Sequence, residues 1–401
     1  MTVARLWSLV DKRALLVTAV CLVVWRLLEQ IPVSDVTQAF ITTRLYNLSN
    51  GPGFFLAIGP NSLPFASLSL AAEGIGPYID AWILMNIAVA VSVRLGDLLG
   101  QPAGRKTVLR WTRFIALVLA LGQAYGFTVL YQFSSPPAFG ALDWSARLAV
   151  CLALTGGTAM MILLADALDD FGLGFGYGAV ILYALASLGS EVHRIAAYFA
   201  SAPSVEALYK PMAVWTAFTL GTTVAGVAVL LAVRRIEGTE LRVLMSGVLR
   251  PPEVAVAVVI LPTLMANSYY ASFPNLAQWI SESWQPYGPK PWLDVGYVLL
   301  HGGLVVLFAV FFVFVDGRVA PFPPHLRAHV TRLAVIGGLF LAFAVIAVPV
   351  ANHFLTRAAG QSISISGADV LLVVAVILVA VRSIEGYRPV VPFTASPSGL
   401  P

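Results

Sequence analysis

The sequence predicts an all-α, polytopic membrane protein of ten transmembrane helices in two inverted five-helix halves, and three observations predict it. The 401 residues are 59% hydrophobic and only 11% charged, with a mean hydropathy of +0.85, so the folded surface cannot be mostly water-facing. Ten stretches are apolar over the roughly 20 residues that a helix needs to cross a bilayer. The basic residues are also segregated. With the N-terminus inside, seventeen of the 24 Lys and Arg fall in cytoplasmic segments and six on the opposite side, while Arg26 lies within a span. That asymmetry places both termini in the cytoplasm, and the net charge of +4 needs no nucleic-acid partner to explain it.

The first span covers 14–32 and ends at Ile31-Pro32, since proline cannot continue the helical ladder. Arg26 breaks its apolar run and no small-x-small site follows, which argues against a cleaved signal peptide. Residues 45–72 (LYNLSNGPGFFLAIGPNSLPFASLSLAA) are too polar and glycine-broken to span. The second span, 77–95, opens on Gly76-Pro77 and leads to a basic turn, Gly104-Arg105-Lys106. The third, 111–132, carries Gln123, and the fourth and fifth, 145–167 and 176–199, flank a glycine-rich cytoplasmic turn. Asp166, Asp169 and Asp170 in that turn read as solvated.

A polar stretch at 200–210 (SAPSVEALYKP) lies outside and divides the chain. The second half holds spans 211–233, 253–272, 293–315, 330–350 and 367–386, the seventh of them interrupted by Pro262 and Asn267. The organisation is therefore an N-terminal half at 1–199, a hinge at 200–210, a C-terminal half at 211–388 and a proline- and serine-rich tail at 389–401, expected to be disordered. Halves with an odd number of spans must insert with opposite orientations, which permits an inverted repeat around a central site. No identity between the halves is visible.

Motifs for catalysis are missing from the sequence. It holds no HExxH, no GxSxG and no glycine–aspartate intramembrane protease motif. Cys21 and Cys151 both fall inside apolar spans, so neither a disulfide framework nor a thiol metal site is indicated. The expectation is a protein without enzymatic activity, metal or cofactor.

One region goes further. Phe65 to Phe127 runs FASLSLAAEGIGPYIDAWILMN, an apolar run, then GDLLGQPAGRKTVLRWTRFIALVLALGQAYGF. This order of polar residues and glycines resembles the second and third spans of the SecY family of protein-conducting channels. LLVTAVCLVVWRLLEQIPVSDV resembles the family's first span, and LTGGTAMMILLADALDDFGLGFGYGAVILYALASLGSEV its fourth and fifth. VGYVLLHGGLVVLFAVFFVFV, HVTRLAVIGGLFLAFAVIAVP and SGADVLLVVAVILVAV resemble the eighth, ninth and tenth. Most of these matches are weak singly; in order they are specific.

The resemblance implies an apolar constriction that closes around a passing chain, because apolar narrowing blocks ions by dewetting. It implies ring residues Ile79 and Ile83 in the second span, Tyr177 and Ile181 in the fifth, Leu264 in the seventh and Leu372 in the tenth. Tyr177 departs from the family's aliphatic pattern. The stretch 45–72 corresponds to a plug, a short re-entrant helix closing the external funnel; an ordinary external loop is the alternative.

Asp80 stands where the family usually has Ser or Thr, in a polar cluster at the lateral gate through which apolar segments leave for lipid. Gln123 matches a second member, and Asn267 could supply the third. The alternative for Asp80 is a structural pairing with Arg26 or another buried cation.

Arg105, Lys106, Arg234, Arg235, Arg242, Arg250, Arg318 and Arg327 fall on the cytoplasmic face, which the resemblance makes a docking surface. The loops at 234–252 and 316–328 are short for the family. The resemblance thus implies a divergent channel in the cytoplasmic membrane that moves or laterally inserts unfolded, hydrophobic polypeptides. Its partners would be a SecE-like and a SecG-like small subunit, with weak contact to ribosomes or the SecA motor. Two other classes fit the same residues: a proton-coupled transporter of a small solute, with Asp80 as carrier, and a non-conducting membrane scaffold.

Overall fold

A computed structural model describes residues 12–33, 68–99, 101–132, 142–174, 178–183, 185, 213, 255, 291–319, 331–332, 334–336, 338–339 and 341–343. The chain divides into two compact units, one of residues 1–200 with 376–401, the other of 201–375. Among the described residues, four of the expected spans are single helices and a fifth is a helix broken in two, and no strand is present beyond an isolated bridge.

In the first unit, α1 (Lys12–Gln30) buries Cys21, Trp25 and Leu28 at helical spacing against the helix Trp144–Phe171, α5 below. Its opposite face, Leu16, Val20, Val23 and Leu27, is exposed and apolar along the whole length. Ile31 and Pro32 end it. The second expected span is not one helix. α2 (Gly76–Val91) stops at Ser92, whose backbone is extended, and a short α3 (Val93–Leu99) follows. The physical reason is the serine itself: its Oγ accepts from the Leu95 N–H at 3.5 Å, capping α3 and competing with helix continuation.

The turn from α3 to α4 (Pro102–Gln132) requires its glycine. A Cβ at Gly104 would lie 2.0 Å from the Leu98 carbonyl oxygen. α4 buries Gly104, Val108, Thr112, Ala116, Ala120, Ala124 and Thr128, a row of mostly small residues every fourth position. Such rows let helix backbones approach closely inside a bilayer, where apolar surface alone gives no drive to associate. α2 and α5 (Trp144–Phe171) pack on α4. The outer face of α4 exposes Trp111, Phe114, Val118, Leu121 and Tyr125.

At the start of α5 the Asp143 carboxylate accepts from Ala146 N–H at 2.7 Å and from the Ser145 hydroxyl at 3.0 Å. Those donors, Ala146 first, hold it below the usual carboxylate range. Two helices, within Ala103–Val129 and Trp144–Phe171, are long and apolar enough to cross a membrane among the described residues. Their exposed apolar faces run end to end, which lipid tolerates and water does not. In the second unit, α6 (Pro291–Val319) buries Val305, Ala309 and Phe312, and Val305 packs with Ala255, Leu341 and Ala342.

Candidate functional site

The site is built on α2 and on the segment that leads into it. Val33 N–H donates to the Leu68 carbonyl and Leu70 N–H to the Ile31 carbonyl, both at 2.9 Å, pinning residues 68–70 to the exit of α1. The backbone then turns through Ser69–Ala72 and Ala71–Gly74 bonds of 2.9 Å, with Gly74 left-handed at φ 57° and Pro77 in the first helical turn.

The depth of this segment is set by α5. The Leu70 carbonyl sits so close over Gly157 that a Cβ there would be 1.6 Å from its oxygen. Thr158 Oγ1 donates to Glu73 Oε2 at 3.2 Å. Residue 158 is about 21 Å along α5 from Trp144 at 1.5 Å per residue, halfway through the helix. α2, with 16 residues and about 24 Å, thus starts in mid-membrane and covers only part of a roughly 30 Å core. Non-helical backbone at that depth must be enclosed by protein or water, and Leu68, Ser69, Ala71, Ala72, Glu73 and Ile75 are all buried. Of the expected plug-like stretch, residues 68–72 are bridge and turn; 45–67 lie outside the described residues.

Ile79 and Ile83 are buried, one turn apart on α2, and Ile181 is half-buried in the helical stretch 178–183. Asp80 lies on a different stripe with Leu84, Ile87 and Val91, the one face of α2 that is not fully buried. Its Oδ2 accepts from Gln123 Nε2 of α4 at 3.2 Å. The two residues read together from the sequence are therefore hydrogen-bonded across 43 positions. Arg26 is engaged elsewhere, paired with Glu29 one turn away and lying over the Trp25 ring at 5.7 Å. Arg105 and Lys106 are exposed in the first turn of α4, and Arg318 is in the last turn of α6. Tyr177, Leu264, Leu372, Asn267, Arg234, Arg235, Arg242, Arg250 and Arg327 lie outside the described residues.

The acidic turn after the fourth span needs correcting. Asp166 is not simply solvated; it pairs with Arg113 of α4 at 2.8 Å, half-buried. Asp169 accepts from the Gly178 N–H at 2.7 Å, satisfying a donor at the start of the helical stretch 178–183. Leu173 N–H donates to Thr18 Oγ1 of α1 at 2.9 Å, so this turn is docked on α1. Sequence reasoning also passed over Glu73. Its signal was present: a lone carboxylate in the run LAAEGIGP, with a double glycine in LTGGT to receive it.

The family model for SecY matches residues 69–321. Among curated proteins, the chain is 23% identical over 432 residues to "Protein translocase subunit SecY" of Lactococcus lactis subsp. lactis, covering 96% of this chain and 95% of the relative. It is 25% identical over 430 residues to the protein of the same name from Halalkalibacterium halodurans, covering 96% of each. For Staphylococcus aureus the figures are 27% over 358 residues, 79% and 81%. The match spans well over half of the chain, and the chain belongs to the SecY family. It is an all-α, multi-pass integral membrane protein of a family of protein-translocation channels.

Proposed function

We propose that this protein is a polypeptide-conducting channel of the cytoplasmic membrane, moving unfolded chains across it and releasing hydrophobic segments sideways into lipid. The observation that carries the reading is the lead-in to α2. It reaches the middle of α5 as enclosed, non-helical backbone, so the second span starts from within the membrane. A funnel closed from one side needs such a segment, whereas a plain span crosses without interruption.

In this reading Ile79, Ile83, Tyr177, Ile181, Leu264 and Leu372 form the constriction, in ten spans organised as halves 1–199 and 211–388 about a hinge at 200–210. Apolar side chains suit a gasket that seals by dewetting and yields to any sequence. The Asp80–Gln123 bond, with Asn267, lies at the lateral gate and gives that seam a polar contact which an inserting helix must displace. Both termini are cytoplasmic. A SecE-like and a SecG-like subunit accompany the channel, and Arg105, Lys106 and Arg318, with the arginines of the two short loops, give weak contact to ribosomes or SecA.

The test is site-specific photocrosslinking from Ile83 in membranes carrying a stalled, radiolabelled nascent chain. The lipid-facing Leu163 of α5 serves as comparison. An adduct at Ile83 and none at Leu163 is expected; no adduct at Ile83, with the stalled chain present, overturns the reading.

A further inference from the structure

Three carboxylates close α5: Asp166, Asp169 and Asp170 all fall in its last two turns. Acidic groups there meet the negative end of the helix dipole, so the stability of α5 does not account for them. Asp166 is answered by Arg113 of α4. Asp169, half-buried, reaches forward along the chain, and its Oδ1 accepts from the Gly178 N–H at 2.7 Å. That donor opens the helical stretch 178–183, where a helix has no acceptor of its own to offer and its dipole favours an anion. Two glycines let backbone close on this one oxygen. A Cβ at Gly174 would stand 2.4 Å from Asp169 Oδ1, and one at Gly178 would stand 3.0 Å from it and 2.3 Å from the Ala165 carbonyl oxygen.

The stretch and its approach are held in other ways as well. Ala179, Val180, Leu182 and Tyr183 are buried, the Gly172 and Gly174 N–H groups donate to the Leu168 carbonyl, and Leu173 N–H donates to Thr18 of α1. Those backbone bonds fix residues 172–174, ahead of the stretch, and apolar burial has no direction of its own. The Asp169 bond joins α5 to the stretch itself and names the residue that must stand at this point. The least buried line of the helix carries Ile181, with Leu185 one turn further on. We infer that Asp169 is a positioning residue, which sets the register of the 178–183 helix against α5 and so the height at which Ile181 stands in the constriction. What the role asks of residue 169 is an acceptor of this reach; the charge is secondary. The place of Ile181 in a constriction rests on the channel reading, whereas the register of its helix does not.

The experiment uses the full chain in proteoliposomes with spin labels at Leu163, on the exposed face of α5, and at Leu185. The distance between the labels reads the register of the helix, and ion leak from vesicles of the unlabelled protein reads the seal. Asp169→Asn loses the charge but keeps an oxygen of the same reach, and Asn caps helices about as well as Asp. Asp169→Glu keeps the charge but sets the acceptor one methylene further out, where the backbone at Gly174 and Gly178 is already closed around the shorter side chain. Asp169→Asn should therefore keep the parent's distance and its low leak. Asp169→Ala should populate a second distance, its weight against the native one rising about tenfold or more, as the loss of a bond to a charged acceptor dictates. Asp169→Glu should shift in the same direction, and leak should rise in both. An unchanged distance in Asp169→Glu and Asp169→Ala overturns the proposal. So does a displaced Asp169→Asn beside a parent-like Asp169→Glu, the signature of a role for charge alone. The contrast of Asn with Glu decides even if Asp169→Ala does not accumulate. A shifted distance without a change in leak upholds the role of Asp169 and counts against a constriction at Ile181.

Discussion

Gly156 and Gly157 are neighbours in α5, yet alanine should act on them in opposite directions. At Gly156 an added Cβ meets nothing within 4 Å. The substitution there should gain the helix preference of alanine over glycine, about 1 kcal/mol in an exposed helix interior. At Gly157 the same methyl would lie 1.6 Å from the Leu70 carbonyl oxygen and 2.6 Å from its carbon, where ordinary contact begins at 3.4 Å. About 1.8 Å of movement is needed, and the obstacle is backbone bonded to Ile31 and Val33 just beyond α1 and tethered to α5 through the Glu73 side chain on Thr158. Overpacking of this kind costs about 1–3 kcal/mol. The alanine preference is gained at both positions and cancels, so the Gly157→Ala protein should be about 1–3 kcal/mol less stable than Gly156→Ala, which a denaturant titration in mixed micelles resolves. Gly157→Ala should also raise labelling of a cysteine at Ala71 as the lead-in is pushed off. Equal stability of the two variants, with Ala71 still protected, would refute the close approach of Leu70 to α5.

Two further outcomes are expected. Gln123→Leu leaves the Asp80 carboxyl of α2 without its amide donor and should cost about 1–3 kcal/mol, while the double variant Asp80→Leu, Gln123→Leu should recover much of it, because both polar partners are then gone; simple additivity in an unfolding titration would show the bond to be idle. Cysteines placed at Ser134 and Gln361 should react with an impermeant maleimide on intact cells and one at Gly100 should not, the reverse pattern contradicting the ten-span topology.

Helices were the legible part of this chain. α1, α4, α5 and α6 coincide with expected spans to within a few residues, except that α4 begins nine residues earlier, at Pro102. Hydropathy sums over about 20 residues, so a polar residue such as Arg26 or Gln123 barely alters the outcome. The same averaging hid the break at Ser92, where a single hydroxyl and one extended residue interrupt an otherwise apolar run. Asp80 and Gln123 could be read as a pair because they occupy matching places in a family motif, and the structure does bond them.

Sequence by itself therefore determined the class of this protein, through its apolar spans and their likeness in order to one family. Tertiary structure decided what the polar residues are doing. Arg113 meets Asp166 across 53 positions and Thr158 meets Glu73 across 85, while Arg26, the cation considered for Asp80, turns to Glu29 three residues away. Whether an acid is solvated, paired or stranded depends on which helix lies against it and at what height. A backbone that stops half-way into the membrane sets that height for Glu73, and no local pattern in the chain encodes it.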